Sequence, residues 1–229
     1  MNKFAKNFVF KTVMGLLTLS VITVPAFGLV YGNNSDFIFD KPGYSNSHSN
    51  GYGMRSTIAG DVIDGAAYFF SGYSDTLLLL NRIELSEKQE LDYAELDKIL
   101  DSALGNMELM KKSYLSLNLK TEYLPYNPMM IQKLKDFNYL EFQQVNGLNP
   151  IIFDKVKDYL TAGDMRGVYS RILADIEGII SLLYLIKEKV HAGVFPGASH
   201  LWRLNQSCSD TLLFGQYVAM VCGYITGRV

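Results

Sequence analysis

Two cysteines, three histidines, one tryptophan and six prolines in 229 residues leave little room for several kinds of chemistry. Two cysteines exclude a disulfide-stapled miniprotein and a zinc site built from four thiolates. Three histidines offer few ligands for a metal centre. The sequence Cys-x-x-Cys-His, which attaches haem covalently, does not occur. Neither does Gly-x-Ser-x-Gly, a phosphate loop or His-Glu-x-x-His. Lysine and arginine total 21 against 23 acids, for a net charge of −2. With no basic surplus to neutralise phosphates, nucleic acid is not an expected partner. Hydrophobic residues reach 48% and charged residues only 19%, which excludes a wholly disordered chain.

The N-terminus lacks acid altogether, the first acidic residue being Asp36. Lys3, Lys6 and Lys11 precede an uncharged apolar run from Thr12 to Val24, and Pro25-Ala26-Phe27-Gly28 follows with small residues at Ala26 and Gly28. A basic stretch, a short apolar core and a small-x-small exit form the layout of a secretory signal. The expected cut follows Gly28, so that residues 1–28 are a signal peptide. The rival is an uncleaved anchor, because Thr12 to Ser35 carries no charge and is long enough to span a bilayer. Membrane attachment enters only through that rival. Both readings place the rest of the chain outside the cytoplasm, periplasmic or secreted. Residues 29–55 are rich in Gly, Asn, Ser and Tyr with no lasting period, and are expected to form a flexible arm.

From Ser56 the pattern is helical. Ile58, Val62, Gly65, Phe69, Gly72, Thr76, Leu79 and Ile83 recur in alternating steps of four and three. Such a period of about 3.5 is that of a helix packed against another helix. Gly65 and Gly72 lower helix propensity, and close approach of a neighbouring helix is the reason to expect for them. Ser86 with Gln89 forms a capping box for a second helix, from Glu87 to Leu119, with the stripe Tyr93, Leu96, Leu100, Ala103, Met107, Met110, Tyr114 and Leu117. A third runs from Met165 to His191. A fourth runs from His200 to Thr226, with Ser199 as its cap. Between the second and third, residues 121–163 hold Asn127-Pro128 and Asn149-Pro150, each an N-cap followed by proline at the first helical position. These open two short helices, which Gly147 and Gly163 stop. The expected fold is all-α: an antiparallel four-helix bundle over 56–229, with 121–163 as a crossover segment of two short helices. The apolar stripes are wide, and Leu77 to Leu80 and Leu212 to Phe214 are expected on outer faces.

Chemistry-bearing residues are sparse. A di-iron bundle needs two Glu-x-x-His motifs, and only Glu188-Lys189-Val190-His191 is present. Glu188, His191 and His200 are the candidates for a metal, His191 and His200 flanking the loop before the last helix. Asp61 with Asp64, and Asp175 with Glu177, are the closest carboxylate pairs on helices. Cys208 and Cys222 share one stripe, about 21 Å apart at the helical rise, too far to bond to each other. They are either buried thiols or the ends of an intermolecular disulfide. Tyr68, Tyr114, Tyr169, Arg203, Asp210 and Tyr217 are the candidate lining of a pocket between the helices.

The leading expectation is an exported, non-enzymatic helical-bundle protein that binds a protein or a cell-envelope component, with self-association into a homo-oligomer as one form of that binding. No cofactor is expected. The alternatives are an extracytoplasmic carrier or sensor domain with a small molecule between the helices, and a metal- or haem-binding protein.

Overall fold

The computed structural model describes the backbone of residues 48–85, 91–120 and 128–225. Among these residues the chain is all-helical, with seven helices and no strand. They are α1 (His48–Leu85), α2 (Tyr93–Lys120), α3 (Pro128–Asp136), α4 (Tyr139–Asn146), α5 (Pro150–Ala162), α6 (Met165–His191) and α7 (Ala198–Ile225). The expected signal segment, arm residues 29–47, the Ser86–Gln89 box and Asn127 lie outside the described residues.

Four boundaries differ from the sequence expectation. Helix α1 begins at His48 rather than Ser56, and no proline stands between Pro42 and its end at Leu85 to break it. Helix α2 begins at Tyr93 rather than Glu87, because the Asp92 carboxylate accepts the amides of Ala94 and Glu95, both at 3.0 Å. Among its described residues, 128–163, the crossover holds three short helices rather than two. Asn138 accepts the Glu141 amide and starts α4, an additional helix between the two that the Asn-Pro signals mark. Helix α7 starts at Ala198, which places Ser199 inside the first turn rather than at its cap. The other signals act as expected. Asn149 caps α5 through the amides of Ile151 and Ile152, with Pro150 in the first turn. Gly147 and Gly163 end α4 and α5 in the left-handed region, at φ 60° and 69°.

The chain divides into two compact units, residues 64–119 with 167–213, and residues 1–63 with 120–166 and 214–229. In the first unit, long helices pair along their lengths. Partners of α1 on α2 run in reverse order: Gly65 meets Tyr114, Gly72 meets Met107, Asp75 accepts from Ser102 and Asn106, and Arg82 pairs with Glu95. The same reversal holds between α2 and α6. Ser170 donates to Asn118, Lys111 pairs with Glu177 at 3.1 Å, and Lys187 pairs with Asp101. Both pairs of helices are therefore antiparallel. The expected stripes of α1 and α2 are buried from Gly65 onward, Tyr93 alone being half-exposed, and α6 buries Tyr169, Ile172, Ile176, Ile179, Leu183, Ile186 and Val190. A buried Leu or Ile contributes about 1.5–3 kcal/mol, an exposed ion pair about 0–1 kcal/mol. The aliphatic stripes hold the helices together, and the polar contacts select the register.

In the second unit, short helices pack through rings. Phe153 of α5 lies 6.0 Å from Tyr139, 6.1 Å from Phe142 and 6.0 Å from Tyr217. Phe137, between α3 and α4, contacts Tyr139, Phe142 and Tyr224. The Asn149 amide donates to the Tyr217 hydroxyl at 3.0 Å, tying the start of α5 to α7. Leu212 and Phe214, expected on an outer face, are buried, and Phe214 meets Tyr159 edge-on. Of Leu77 to Leu80, expected on an outer face, Leu78 is exposed, Leu77 and Leu80 are half-buried, and Leu79 is buried because it belongs to the apolar stripe of α1.

Candidate functional site

Five of the six candidate pocket residues fall in the long-helix unit and Tyr217 in the other. Tyr114 and Tyr169 come together, their rings 6.4 Å apart and edge-on, and both are buried. Gly65 supplies the room: a Cβ there would lie 2.8 Å from the Tyr114 ring. Burial pushes the Tyr114 hydroxyl up to about 12. Tyr68 is half-buried, and Arg203 is exposed. Asp210 accepts from Gln206 one turn earlier at 2.6 Å. Tyr217 belongs to the aromatic cluster of the other unit, occupied by Asn149 and Phe153.

The thiols are buried, with 0% exposure at Cys208 and 2% at Cys222. Of the two readings that the sequence left open, this burial favours thiols packed inside the core. Burial pushes each up to about 12, the Thr76 hydroxyl opposing it slightly at Cys208. A thiol held in its protonated form is a poor nucleophile. Tyr73, beside Cys208, is likewise raised to about 12 by burial.

The metal candidates have separate surroundings. Glu188 is exposed, and His191 Nδ1 lies 4.0 Å from Asp97 Oδ2. His200 Nδ1 is buried without a hydrogen bond. Among the described residues no group of three His, Cys, Asp or Glu side chains is arranged to hold a metal ion. The carboxylates expected as a pair on α6 are taken separately: Asp175 by Arg171 at 2.9 Å, Glu177 by Lys111. Asp64 is exposed. Lys187 sits between Asp97 and Asp101, and its hydrogen bond to Asp101 raises its pKa. This lattice fixes α2 against α6.

The feature that sequence periodicity missed is the connection between α6 and α7. Gly193, at φ 67°, ends α6; its amide reaches Val190 and the Val194 amide reaches Lys189. That double bond is a Schellman cap. Three residues on, Pro196 is buried. Between these two anchors Val194 and Phe195 face outward, 53% and 48% exposed, and Trp202 follows one turn into α7 at 66%. The signal was Gly193-Val194-Phe195-Pro196-Gly197 followed by the lone tryptophan. Helical stripes do not register residues in a loop. No helix of the described residues is long and apolar enough to cross a membrane.

No family model, no curated protein and no solved structure matches this chain.

Proposed function

We propose that the chain is an exported, non-enzymatic protein that acts by binding a cell-envelope or protein component, periplasmic or secreted. Its four long helices close as an antiparallel four-helix bundle, α6 and α7 completing the ring begun by α1 and α2. The observation that carries the reading is the anchored connection between α6 and α7. It holds large apolar side chains in water although the aliphatic stripes are already buried. The basic, apolar and small-residue layout of residues 1–28 supports export. The neighbouring charged groups α2–α6 and Arg171–Asp175 neutralise one another, which suits a scaffold better than proton transfer. The carrier reading has no observation in its favour, since Tyr114 and Tyr169 pack on each other. Nor has the metal or haem reading, since among the described residues no three such side chains are arranged to hold a metal ion.

The test is the mass and location of the chain in expressing cells. The reading expects a chain that begins at Leu29, recovered outside the cytoplasm or with the envelope. A full-length 25.8 kDa chain in the soluble cytoplasmic fraction contradicts it.

A further inference from the structure

We infer that Asn146-Gly147, at the end of α4, is a site of spontaneous deamidation, a slow modification that takes water as its co-reactant and loosens the join between α4 and α5. The inference is independent of the functional reading above. The chain holds two Asn-Gly pairs, Asn50-Gly51 and Asn146-Gly147. Every asparagine from Asn81 onward other than Asn146 is followed by a residue with a side chain. That side chain crowds the backbone amide that must attack the asparagine, and glycine removes the crowding. The surroundings are open as well: a Cβ at Gly147 would meet nothing within 4 Å.

Helical hydrogen bonds restrain such a pair, and at this helix end little supports them. Phe142 is the last buried side chain of α4, and Gln144, Val145, Asn146 and Gly147 are all exposed. The closing turn rests on the Gly147 amide reaching the Gln144 carbonyl at 3.3 Å, the Leu148 amide reaching Gln143 at 3.0 Å, and Asn146 Nδ2 reaching Phe142 at 2.8 Å. A helix of eight residues has little stability of its own, so a turn without buried side chains opens readily. The end of α5 is the contrast. Leu160 is buried in its last turn, and a Cβ at Gly163 would lie 3.1 Å from Ile131.

In the opened turn the Gly147 nitrogen attacks Asn146 Cγ. A new C–N bond forms, the Cγ–Nδ2 bond breaks, and Nδ2 leaves as ammonia with the Gly147 amide proton. Water then adds across one C–N bond of the resulting succinimide. Opening at one carbonyl gives aspartate, and opening at the other gives isoaspartate, whose backbone runs through the side-chain carbon. Either product loses the Nδ2 donor to Phe142 and places a negative charge at a helix C-terminus, where the dipole disfavours it. Isoaspartate also lengthens the backbone just before Asn149, whose amide holds the Tyr217 hydroxyl and whose side chain caps α5.

The test holds the full chain in mildly alkaline buffer at physiological temperature and follows it over days by mass-spectrometric peptide mapping. Asn146 should convert from amide to acid at least about tenfold faster than Asn81, which is exposed and followed by Arg82. Aspartate and isoaspartate peptides should both appear. Asn50 falls in a different peptide and is read separately. Asn146→Gln must close a larger ring and should convert at least about tenfold more slowly than Asn146, with circular dichroism confirming its fold. Asn146→Asp carries the charge from the start and should lower the melting temperature by about 2–4 °C. Conversion at Asn146 no faster than at Asn81, aspartate without isoaspartate, or an undiminished rate in Asn146→Gln overturns the site. A melting temperature unchanged by Asn146→Asp overturns the loosening of the join.

Discussion

The long-helix unit and the short-helix unit are built on different principles. Residues 64–119 and 167–213 repeat one contact many times: an aliphatic stripe, a small residue for close approach, and a polar pair at the rim. Residues 128–166 and 214–225 gather their contacts in one place, where Phe153 alone touches three rings. A repeated contact distributes stability along tens of ångströms, so each loss is local. A hub concentrates it, so one loss reaches several helices. The difference also governs legibility, because repetition has a period and a hub has none.

The largest expected effect is alkaline. Tyr73, Tyr114 and Cys208 in the long-helix unit, and Tyr139 and Cys222 in the short one, are each pushed up to about 12 by burial. Their unfolded values are near 9.0 for the thiols and 10.0 for the tyrosines. The folded state therefore holds more protons than the unfolded state between those limits. Stability from this source is complete below about pH 9 and is lost progressively towards pH 12. Urea titrations across that range should show a falling unfolding free energy. A flat profile would mean that these groups are wetter than the structure places them.

Next in size, Phe153→Ala removes the hub and should cost about 3–5 kcal/mol, against about 0.5–1.5 kcal/mol for Ile176→Val in the repeated stripe. Chemical denaturation measures both. Equal costs would erase the contrast between hub and repeat.

Two glycines test close approach. A Cβ at Gly72 would lie 3.0 Å from Met107 Cε and 3.3 Å from Asn106 Cβ. Gly72→Leu should therefore destabilise by about 1–3 kcal/mol. Nothing lies within 4 Å of a Cβ at Gly178, so Gly178→Ala should stabilise by about 0.5–1 kcal/mol. The opposite signs are the prediction, read as opposite shifts in melting temperature.

The smallest effect belongs to the rim. Arg82 and Glu95 pair at 3.1 Å with both side chains near half exposure. Arg82→Ala should change stability by no more than about 1 kcal/mol, less at high salt. A larger loss would give the polar seam a weight that the account assigns to the aliphatic stripe.

The long helices were legible because burial follows their period. Gly65 and Gly72 were readable as points of close approach, and each has a neighbouring side chain within 3.0 Å of where its Cβ would stand. The Asn149-Pro150 start and the Gly147 and Gly163 stops were readable because capping depends on residues adjacent in sequence. Asp92 went unread beside the stronger-looking Ser86, although Glu95 stands three residues on, as a cap requires. The start at Asn138 is likewise local, but no proline follows it to mark a first turn, as one does at Asn127 and Asn149. The aromatic cluster was not legible, since its members lie far apart in sequence and only tertiary packing joins them. The same holds for the candidate site. Spacing grouped Tyr217 with Arg203 and Asp210, whereas packing places it against Asn149 and Phe153. The α6–α7 connection lay outside any period, and only the anchoring of its ends gives its apolar residues meaning.

The central claim is that the protein works by contact outside the cytoplasm, through that connection. The most direct measurement is photocrosslinking in intact cells, with Phe195 replaced by benzoylphenylalanine and Gly178 replaced in the same way as the exposed control. The account predicts adducts with an envelope or protein component from position 195 and none from position 178. Equal labelling at the two positions, or none at 195, would contradict it.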